Sequence, residues 1–231
     1  MAITFDQNGS NSADEPAGTD LTVTLASNVD AGDLVVAWCK WEGASGAILT
    51  VTGAGGGTWA NGTLIDHANG DLHGQFAYNL SATGGAATVT MTLSAGRVFR
   101  RCHVWVYSYT GTMSFDAQAT GQGASTTPTS DDITTTGTDE VVLGGYGEYG
   151  SDALSSQTIN DIAADRTLQA PANSTGSWDR ILTATFGPED AAAVKAGTIA
   201  WLCNIIAFKA APGAGGGAVD VWRVRPSVAW S

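Results

Sequence analysis

"RCHVWVYSYTG", residues 101–111, decides the fold, because its cysteine, histidine and aromatic residues suit either a reactive site or a packed strand. Successive side chains of an extended chain point to opposite faces. One face then holds Cys102, Val104, Val106, Ser108 and Thr110, and the other holds His103, Trp105, Tyr107 and Tyr109. Because Cys102 and His103 point in opposite directions, they cannot act together as a nucleophile and its base. The stretch is therefore interpreted as a strand buried between two layers.

The rest of the chain has the composition of an all-β protein. Charged residues make up 14% of the chain, whereas about 25% is usual for a soluble domain. Runs rich in Val, Thr, Ile, Trp and Tyr alternate with turns rich in Gly and Asn. Nine runs are predicted as strands: 21–26, 33–41, 47–53, 72–80, 87–93, 102–111, 139–149, 180–186 and 198–210. The helical candidate is 188–197, where Pro188 suits the first turn and Gly197 the end of a short helix.

The charge of the chain limits its partners. A formal net charge of −12 argues against nucleic acid and membranes, since phosphate groups bind clusters of Lys and Arg. The basic cluster Arg97, Arg100 and Arg101 is interpreted as a solvated strand end, or as ion-paired with nearby carboxylates. The sequence also shows no apolar run of about 20 residues, as a membrane span needs, and no secretory signal is predicted.

The order of the strand-like runs resembles a known group of proteins. The segments that carry the resemblance are "GDLVVAWCKWEG" 32–43, "LTVTGAGGGTW" 49–59, "FAYNLSATGGAATVTMTLS" 76–94, "VYSYTGTMSFDAQA" 106–119, "ITTTGTDEVVLGG" 133–145 and "AFKAA" 207–211. They look like jelly-roll (lectin-like) β-sandwich proteins, which are common in the structural modules of tailed bacteriophages and prophages. The resemblance is one of pattern and carries over no active-site residues.

This resemblance implies a fold, a role and a location. The fold is an all-β, jelly-roll antiparallel β-sandwich domain over residues 1–211. The role is that of a virion structural protein, a capsid decoration, a head fibre or a tail appendage, which self-associates and contacts other virion proteins. The chain would be made in the cytoplasm of the bacterial host and would end up in the virion.

No catalytic constellation emerges from the residues, so the chain is predicted not to be an enzyme and to need no cofactor. Glu140 and Glu148 lie about 26 Å apart if their run is extended at about 3.3 Å per residue, too far for the carboxyl pair of a glycosidase. The Gly-rich stretches lack the lysine and the strand-to-helix setting of a phosphate-binding loop. Cys39, Cys102 and Cys203 lie among apolar strand formers, which predicts buried thiols in a reducing cytoplasm.

The densest polar cluster, "DHANGDLH" at 66–73, has two interpretations. Its Asp66, His67, Asn69, Asp71 and His73 include residue types that bind zinc or related ions. A polar hairpin with an Asn-Gly turn at 69–70 explains the same residues. The spacing fits no calcium loop and no HExxH motif, so the hairpin is favoured and no metal site is predicted.

Two tryptophans in turn-rich segments leave a second function open, that of a carbohydrate-binding adhesin module. Trp59 with Asn61, and Trp178 with Asp179, would combine an indole that stacks on a sugar ring with groups that bond hydroxyls. The partner would then be a glycan of the host surface. The alternative is that each loop tryptophan plugs the end of the sandwich. This alternative is favoured over sugar binding at both positions.

The C-terminal segment, residues 212–231, is predicted to be an interaction arm. It begins with a hinge, since four of the residues 213–217 are glycines. Beyond the hinge, apolar and basic residues alternate, as in a strand that adds to the edge of a neighbouring sheet. The predicted interface consists of Val219, Val221, Trp222, Arg223, Val224, Arg225 and Trp230. Pairing with another subunit and folding back onto the same domain both stay open at this point.

Overall fold

The computed structural model describes residues 3–169, 175–184 and 187–211. These residues form antiparallel strands and no helix, which confirms the all-β prediction, and this part of the chain offers no helix able to cross a membrane. The strands of the first half are β1 (Ile3–Ala13), β2 (Gly18–Thr24), β3 (Leu34–Glu42), β4 (Leu49–Gly53), β5 (Ala60–Asn61), β6 (Ile65–Asp66), β7 (Leu72–Asn79) and β8 (Thr88–Tyr109). Those of the second half are β9 (Thr112–Gly123), β10 (Ile133–Thr134), β11 (Glu140–Glu148), β12 (Ser155–Ile159), β13 (Ile162–Ala163), β14 (Arg166–Gln169), β15 (Thr175–Leu182), β16 (Pro188–Glu189), β17 (Ala191–Val194) and β18 (Trp201–Ala211).

The first half folds into two packed layers because β8 is long enough to belong to both. The second part of β8 lies in a main sheet with the order β1-β8-β3-β7-β5, and its first part lies between β2 and β4 in an outer layer. The strand bends near Phe99, whose φ of 46° is in the left-handed region. The sequence predicts two strands here, 87–93 and 102–111, because the residues between them lack apolar alternation.

The second half also forms a main sheet and an outer layer. The main sheet has the order β14-β15-β11-β18-β9, and the outer layer contains the sheet β13-β12-β17 and the pair β10-β16. The helix predicted at 188–197 is wrong, since this stretch contains β16 and β17. Ala191 and Ala193 are both buried while the residues after them are not, which is the two-residue period of a strand that pairs with β12.

The two halves have the same strand order, so the fold contains an internal duplication. When the strands are numbered within each half, the first, last, third and seventh lie side by side in the main sheet. This order is β1-β8-β3-β7 in the first half and β9-β18-β11-β15 in the second. In the first outer layer the second and fourth strands pair with the first part of β8. In the second outer layer they pair with β16 and β17, which come shortly before β18. The main sheets pack face to face with reciprocal contacts, β7 against β18 and β15 against β8, as in an isologous dimer. The described residues thus form four layers, whereas a single sandwich has two.

Three apolar cores separate the four layers, and they confirm the side-chain alternation predicted from the sequence. Cys102, Val104 and Val106 lie in the first core, between the outer layer and the main sheet of the first half. Trp105 and Tyr107 point the other way, into the middle core between the two main sheets. A third core separates the main sheet of the second half from its own outer layer. The aromatic face of 101–111 is therefore covered by the second main sheet.

Two adjacent glycines in β11 allow an indole ring to lie against each face of that strand. A Cβ atom on Gly144 would lie 2.4 Å from the ring of Trp178, and one on Gly145 would lie 2.5 Å from the ring of Trp38. Both tryptophans are fully buried. Trp38 also donates from Nε1 to the Tyr146 carbonyl at 3.0 Å, which fixes its ring. A side chain at either glycine therefore meets a ring that has no room to move.

We expect Gly145→Ala to lower the free energy of unfolding by about 1–3 kcal/mol, the usual range for overpacking a core. Urea denaturation at pH 7 measures the difference from the parent chain. Gly187→Ala is the matched control, because a Cβ atom there meets nothing within 4 Å, and its effect should stay within about 0.5 kcal/mol. Equal losses in the two variants would contradict the close-approach explanation.

Candidate functional site

His103 lies in the buried space between the main sheets and bonds to a hydroxyl, not to a thiol or carboxylate. Its Nδ1 lies 2.9 Å from Ser177 Oγ, to which the Trp105 indole also donates at 2.8 Å. Burial, followed by the positive charge of Arg101, lowers the pKa of His103 to about 3. The residue is fully buried, so its neutral imidazole cannot reach a substrate. The packed-strand interpretation of 101–111 is confirmed.

Asp179 joins the two halves through a second buried polar group. Tyr107 from the first main sheet donates to Asp179 Oδ2 at 2.8 Å. Arg166 donates to the same oxygen from Nη2 at 2.6 Å and from Nε at 3.1 Å, and its guanidinium lies 4.4 Å from the centre of the Phe5 ring. Burial raises the pKa of Asp179, although the bonds from Arg166 and Tyr107 act to lower it. The group links the sheets and has no opening to solvent at Asp179.

The prediction that Trp178 and Asp179 lie in a loop is wrong. Both lie in β15 and both are fully buried. Alternation places the Trp178 indole in the third core, where its Nε1 donates to the Thr158 carbonyl at 2.9 Å. The small residues before it made this strand look like a turn. A sugar has no access to either side chain.

Trp59 packs against the edge of the first core. It is half-buried and contacts that core, which agrees with the interpretation of a plug. Asn61 is exposed, but its side-chain amide donates to the Leu49 carbonyl at 2.8 Å. Since Trp178 belongs to the third core and Trp59 to the first, the two predicted sugar-binding positions do not form one site.

The polar cluster at 66–73 is a hairpin, the favoured interpretation. Asp66 and His73 face each other across β6 and β7, and Gly70 adopts a φ of 77° in the turn. His73 Nδ1 lies 2.6 Å from Asp66 Oδ1, and Nε2 lies 2.6 Å from the Gly43 carbonyl. Structural partners therefore occupy both ring nitrogens. In the part of the chain that the structure describes, no group of three or more His, Cys, Asp or Glu is placed to hold a metal ion.

The three cysteines are buried free thiols, as predicted. Cys39 and Cys102 are direct neighbours across β3 and β8, with their Sγ atoms 3.7 Å apart. Burial is the main reason why the pKa values of Cys39 and Cys203 lie above the ordinary value of a thiol. A buried thiol with a raised pKa is a poor nucleophile, so these residues contribute packing.

Each main sheet ends in a long edge strand. Within the described residues, β1 pairs with β8 alone and β9 pairs with β18 alone. Beyond this pairing, the β9 backbone accepts a hydrogen bond at the Thr120 carbonyl from the Asp131 N–H, at 3.3 Å. The remaining N–H and C=O groups on the outer side of such strands are a template for a further strand.

A cleft of about 240 Å³ opens where the two halves meet. Its walls come from the end of β1, the end of β3, the bend of β8 and the segment that follows β11. The lining residues are Asp14, Glu42, Phe99, Arg101, Tyr149, Gly150 and Ser151. Ligand sites occur preferentially at such junctions between domains, and this cleft is the candidate binding site of the described chain.

Each carboxylate of the cleft is matched by a buried cation. Arg101 is 2% exposed, and its Nη2 donates to Asp14 Oδ1 at 2.5 Å. Its Nε finds no hydrogen-bond partner among the described residues. The Lys40 ammonium, which is fully buried, pairs with Glu42. Burial, followed by the charges of Asp71 and Glu42, raises the pKa of Tyr149 to about 12, so its hydroxyl stays protonated at neutral pH.

A buried ion pair anchors the second-half wall of the cleft. Glu148 Oε2 accepts hydrogen bonds from Lys195 Nζ at 2.9 Å and from the Tyr146 hydroxyl at 2.6 Å. Its Oε1 accepts from the Asp152 N–H at 2.7 Å. Because the lining residues 149–151 lie between Glu148 and Asp152, this group holds them in place.

Sequence reasoning missed the cleft because its walls come from four separate segments. One signal was present, since ion pairing with a nearby carboxylate was one interpretation of the basic cluster at 97–101. That interpretation is correct for Arg101, which bonds to Asp14. Arg100 is also buried, at 6% exposure, and donates to the Pro16 and Asp20 carbonyls, so this strand end is not a solvated one.

The predicted arm, 212–231, with its interface residues between Val219 and Trp230, lies outside the described residues. The features of the described chain that bear on function are therefore the two edge strands and the cleft.

Comparison of the chain with protein-family models, with curated proteins and with solved structures finds no match.

Proposed function

We propose that this chain is a virion structural protein of a tailed phage, a capsid decoration, a head fibre or a tail appendage, which works through contacts between subunits. The observation that carries the proposal is that both main sheets end in a long edge strand, β1 and β9, which pairs on one side only among the described residues. Long unpaired edges join other chains readily, and monomeric proteins usually cover them. The chain therefore has the means to build assemblies through its backbone.

The proposal includes a jelly-roll fold for each half of the chain. Its support is the strand order, in which the first, last, third and seventh strands share one layer and the second and fourth lie in the other. Jelly rolls are double-sheet folds found in viral capsid and lectin domains. This part of the argument is an analogy at the level of the fold.

The proposed occupant of the edge is the arm, 212–231, of a neighbouring subunit. The described chain ends at Ala211, which is paired with Thr112 at the start of β9. Seven residues, 212–218, could span at most about 23 Å at about 3.3 Å per residue, enough for a fully extended chain to leave the parent sheet. Arg223 and Arg225 carry the sign opposite to the net charge of −12 of the whole chain, which favours contact with another copy.

The proposed role needs no catalysis. Three ionisable groups that attract attention in the sequence, His103, Glu148 and Asp179, are all buried and all bonded within the fold. Groups held in this way stabilise a rigid body. Rigidity serves a particle component that must keep its shape over many copies.

We expect deletion of 212–231 to abolish self-association. Light scattering coupled to gel filtration should report an oligomer for the full chain and a monomer for the truncated one. A synthetic peptide of residues 218–231 should bind the truncated chain, and the same peptide with Trp222→Asp should bind at least tenfold more weakly, because a charge replaces the largest apolar side chain of the alternating run.

Two results would overturn parts of this proposal. An unchanged oligomer after deletion would remove the arm from the interface, and a monomeric full chain that loses stability on deletion would show that the arm pairs within its own subunit. The virion role is tested separately by mass spectrometry of purified phage particles whose genome encodes the chain. Its absence from such particles would refute that role.

A further inference from the structure

We propose that the cleft between the two halves binds one residue of a neutral carbohydrate. This inference goes beyond the particle role, and it does not depend on the loop tryptophans. It rests on the side chains that line the cleft, on their pairing and on the size of the opening.

The charge pattern argues against an ionic ligand. A metal ion needs several free oxygen ligands, but Asp14 and Glu42 each already bond to a cation. An anion needs free cationic donors, but the ammonium of Lys40 is fully buried on Glu42 and Arg101 is engaged by Asp14. A ligand with a net charge of either sign would have to break one of these pairs.

The same pattern suits hydroxyl groups. A carboxylate offers about four lone-pair positions, so Asp14 and Glu42 can accept from a hydroxyl while they stay paired with their cations. Arg101, which is 2% exposed, bonds to Asp14 through Nη2 and so holds this acceptor in place at the wall of the cleft. Bonds to charged groups of this kind are stronger than bonds between neutral groups.

Two aromatic rings and a hydroxyl complete the site. Phe99 is 37% exposed at the bend of β8, and Tyr149 lies on the opposite half of the chain. The faces of such rings pack against the C–H groups of a sugar. Phe99 also adopts a left-handed φ of 46°, which costs about 1–3 kcal/mol for a residue other than glycine and is common in binding sites. Ser151 supplies a further donor and acceptor.

The size of the cleft fixes how much of a glycan it holds. Sites for drug-sized ligands measure about 300–1,000 Å³, and this cleft has about 240 Å³. It therefore accepts a single sugar residue at a chain end or as a monosaccharide. A small buried surface gives weak binding, so we expect a dissociation constant in the millimolar range.

The test titrates the ¹⁵N-labelled full chain with glucose, galactose, mannose, rhamnose and N-acetylglucosamine, and with glucuronate, inorganic phosphate and Ca²⁺ as charged probes. At least one neutral sugar should shift the amide signals of Glu42, Phe99, Arg101 and Ser151 in a saturable way. Phe99→Ala should weaken that binding tenfold or more, because it removes a stacking surface, and Ser151→Trp should abolish it by filling the cleft.

Phe115→Ala is the matched control, since Phe115 is a phenylalanine of similar exposure, 39%, on β9, and its loss should leave sugar binding unchanged. The signal shifts of the parent chain locate the site even if a variant fails to fold. The proposal is overturned if no neutral sugar shifts these signals at 100 mM concentrations. Binding of a charged probe instead, or equal loss in Phe99→Ala and Phe115→Ala, overturns it as well.

Discussion

Between pH 7 and pH 4, the His103→Gln variant should lose about 3 kcal/mol less stability than the parent chain. In the folded chain, burial and the charge of Arg101 lower the pKa of His103 to about 3, whereas an unfolded histidine titrates near pH 6.5. The unfolded state therefore takes up a proton in this interval and the folded state does not. Urea denaturation at both pH values measures the difference.

The sign follows from the direction of the pKa shift. A histidine whose folded pKa is lowered contributes stability above pH 6.5, and that contribution is lost as the pH falls towards 3. Each pH unit in this interval is worth about 1.4 kcal/mol. Glutamine keeps a hydrogen-bonding partner for Ser177 but cannot titrate, so the variant loses the pH dependence and retains the contact.

Glu140 should change the pH dependence of the free energy of unfolding in the opposite direction. It is fully buried in β11, and burial raises its pKa to about 7. The folded carboxyl group is then protonated before the unfolded one, so the parent gains stability from it as the pH falls. Glu140→Gln should therefore lose about 3 kcal/mol more than the parent between pH 7 and pH 4. If the free energy of unfolding of both variants depended on pH as it does in the parent chain, the pKa shifts given to His103 and Glu140 would be contradicted.

The faces of the central strands could be predicted from the sequence. In 33–41, 102–107 and 201–208 both faces are buried, and the period of two assigns each side chain to one core. The period of two places Trp38 and Cys39 on opposite faces, and the structure has Trp38 in the middle core with Trp105 and Cys39 in the first core. The faces could be predicted because apolar residues fill both sides of these strands. A shift of one residue in the strand register would move every side chain into the other core.

The duplication could not be predicted, because the two halves complement each other where they touch. The ring of Trp38 in the first main sheet lies against Gly145 in the second. Such packing requires unlike residues at facing positions, which lowers the sequence similarity between the halves where they touch. Short matches remain, such as "TFD" at 4–6 and "SFD" at 114–116, near the starts of β1 and β9. They are too brief to reveal the relation before the strand pairing is known.

The cleft and the strand β15 stayed hidden for related reasons. Gly176 and Ser177 are turn formers by composition, yet both are buried in β15, where Ser177 bonds to His103. The small side chain of Ser177 lets the main sheets approach, and Gly176 leaves room for Leu154 on the opposite face of the strand. The cleft needs Asp14 and Tyr149 side by side, although they are far apart in the sequence. Local sequence patterns do not show which distant residues lie next to each other in the fold.

Replacement of Lys195 by methionine should lower the free energy of unfolding by about 3–5 kcal/mol, the usual loss when one partner of a buried ion pair is removed. The side chains of Lys195 and Glu148 are both fully buried, 2.9 Å apart. Methionine fills the volume but leaves the Glu148 carboxylate without its cation. Urea denaturation at pH 7 measures the loss.

A double variant separates the charge from the packing. Lys195→Met combined with Glu148→Gln removes both charges of the pair; the glutamine oxygen can accept from the Asp152 N–H while its amide NH2 donates to the Tyr146 hydroxyl oxygen. We expect it to regain most of the loss, since an uncompensated charge is the main cost in the single variant. If the double variant is as unstable as the single one, packing and not charge sets the cost.

Lys209→Met is the matched control for the buried pair. Its ammonium lies 2.6 Å from Asp116; the Lys209 side chain is 35% exposed, whereas that of Asp116 is 3% exposed. Without the lysine, Asp116 still accepts two bonds from Thr136, at 2.8 and 2.6 Å. Its loss should cost about 1 kcal/mol or less, as for exposed pairs. We expect a large difference between the two lysine variants, because the Lys195 side chain is fully buried and that of Lys209 is 35% exposed. Similar losses would contradict the role given to Lys195 in holding the wall of the cleft.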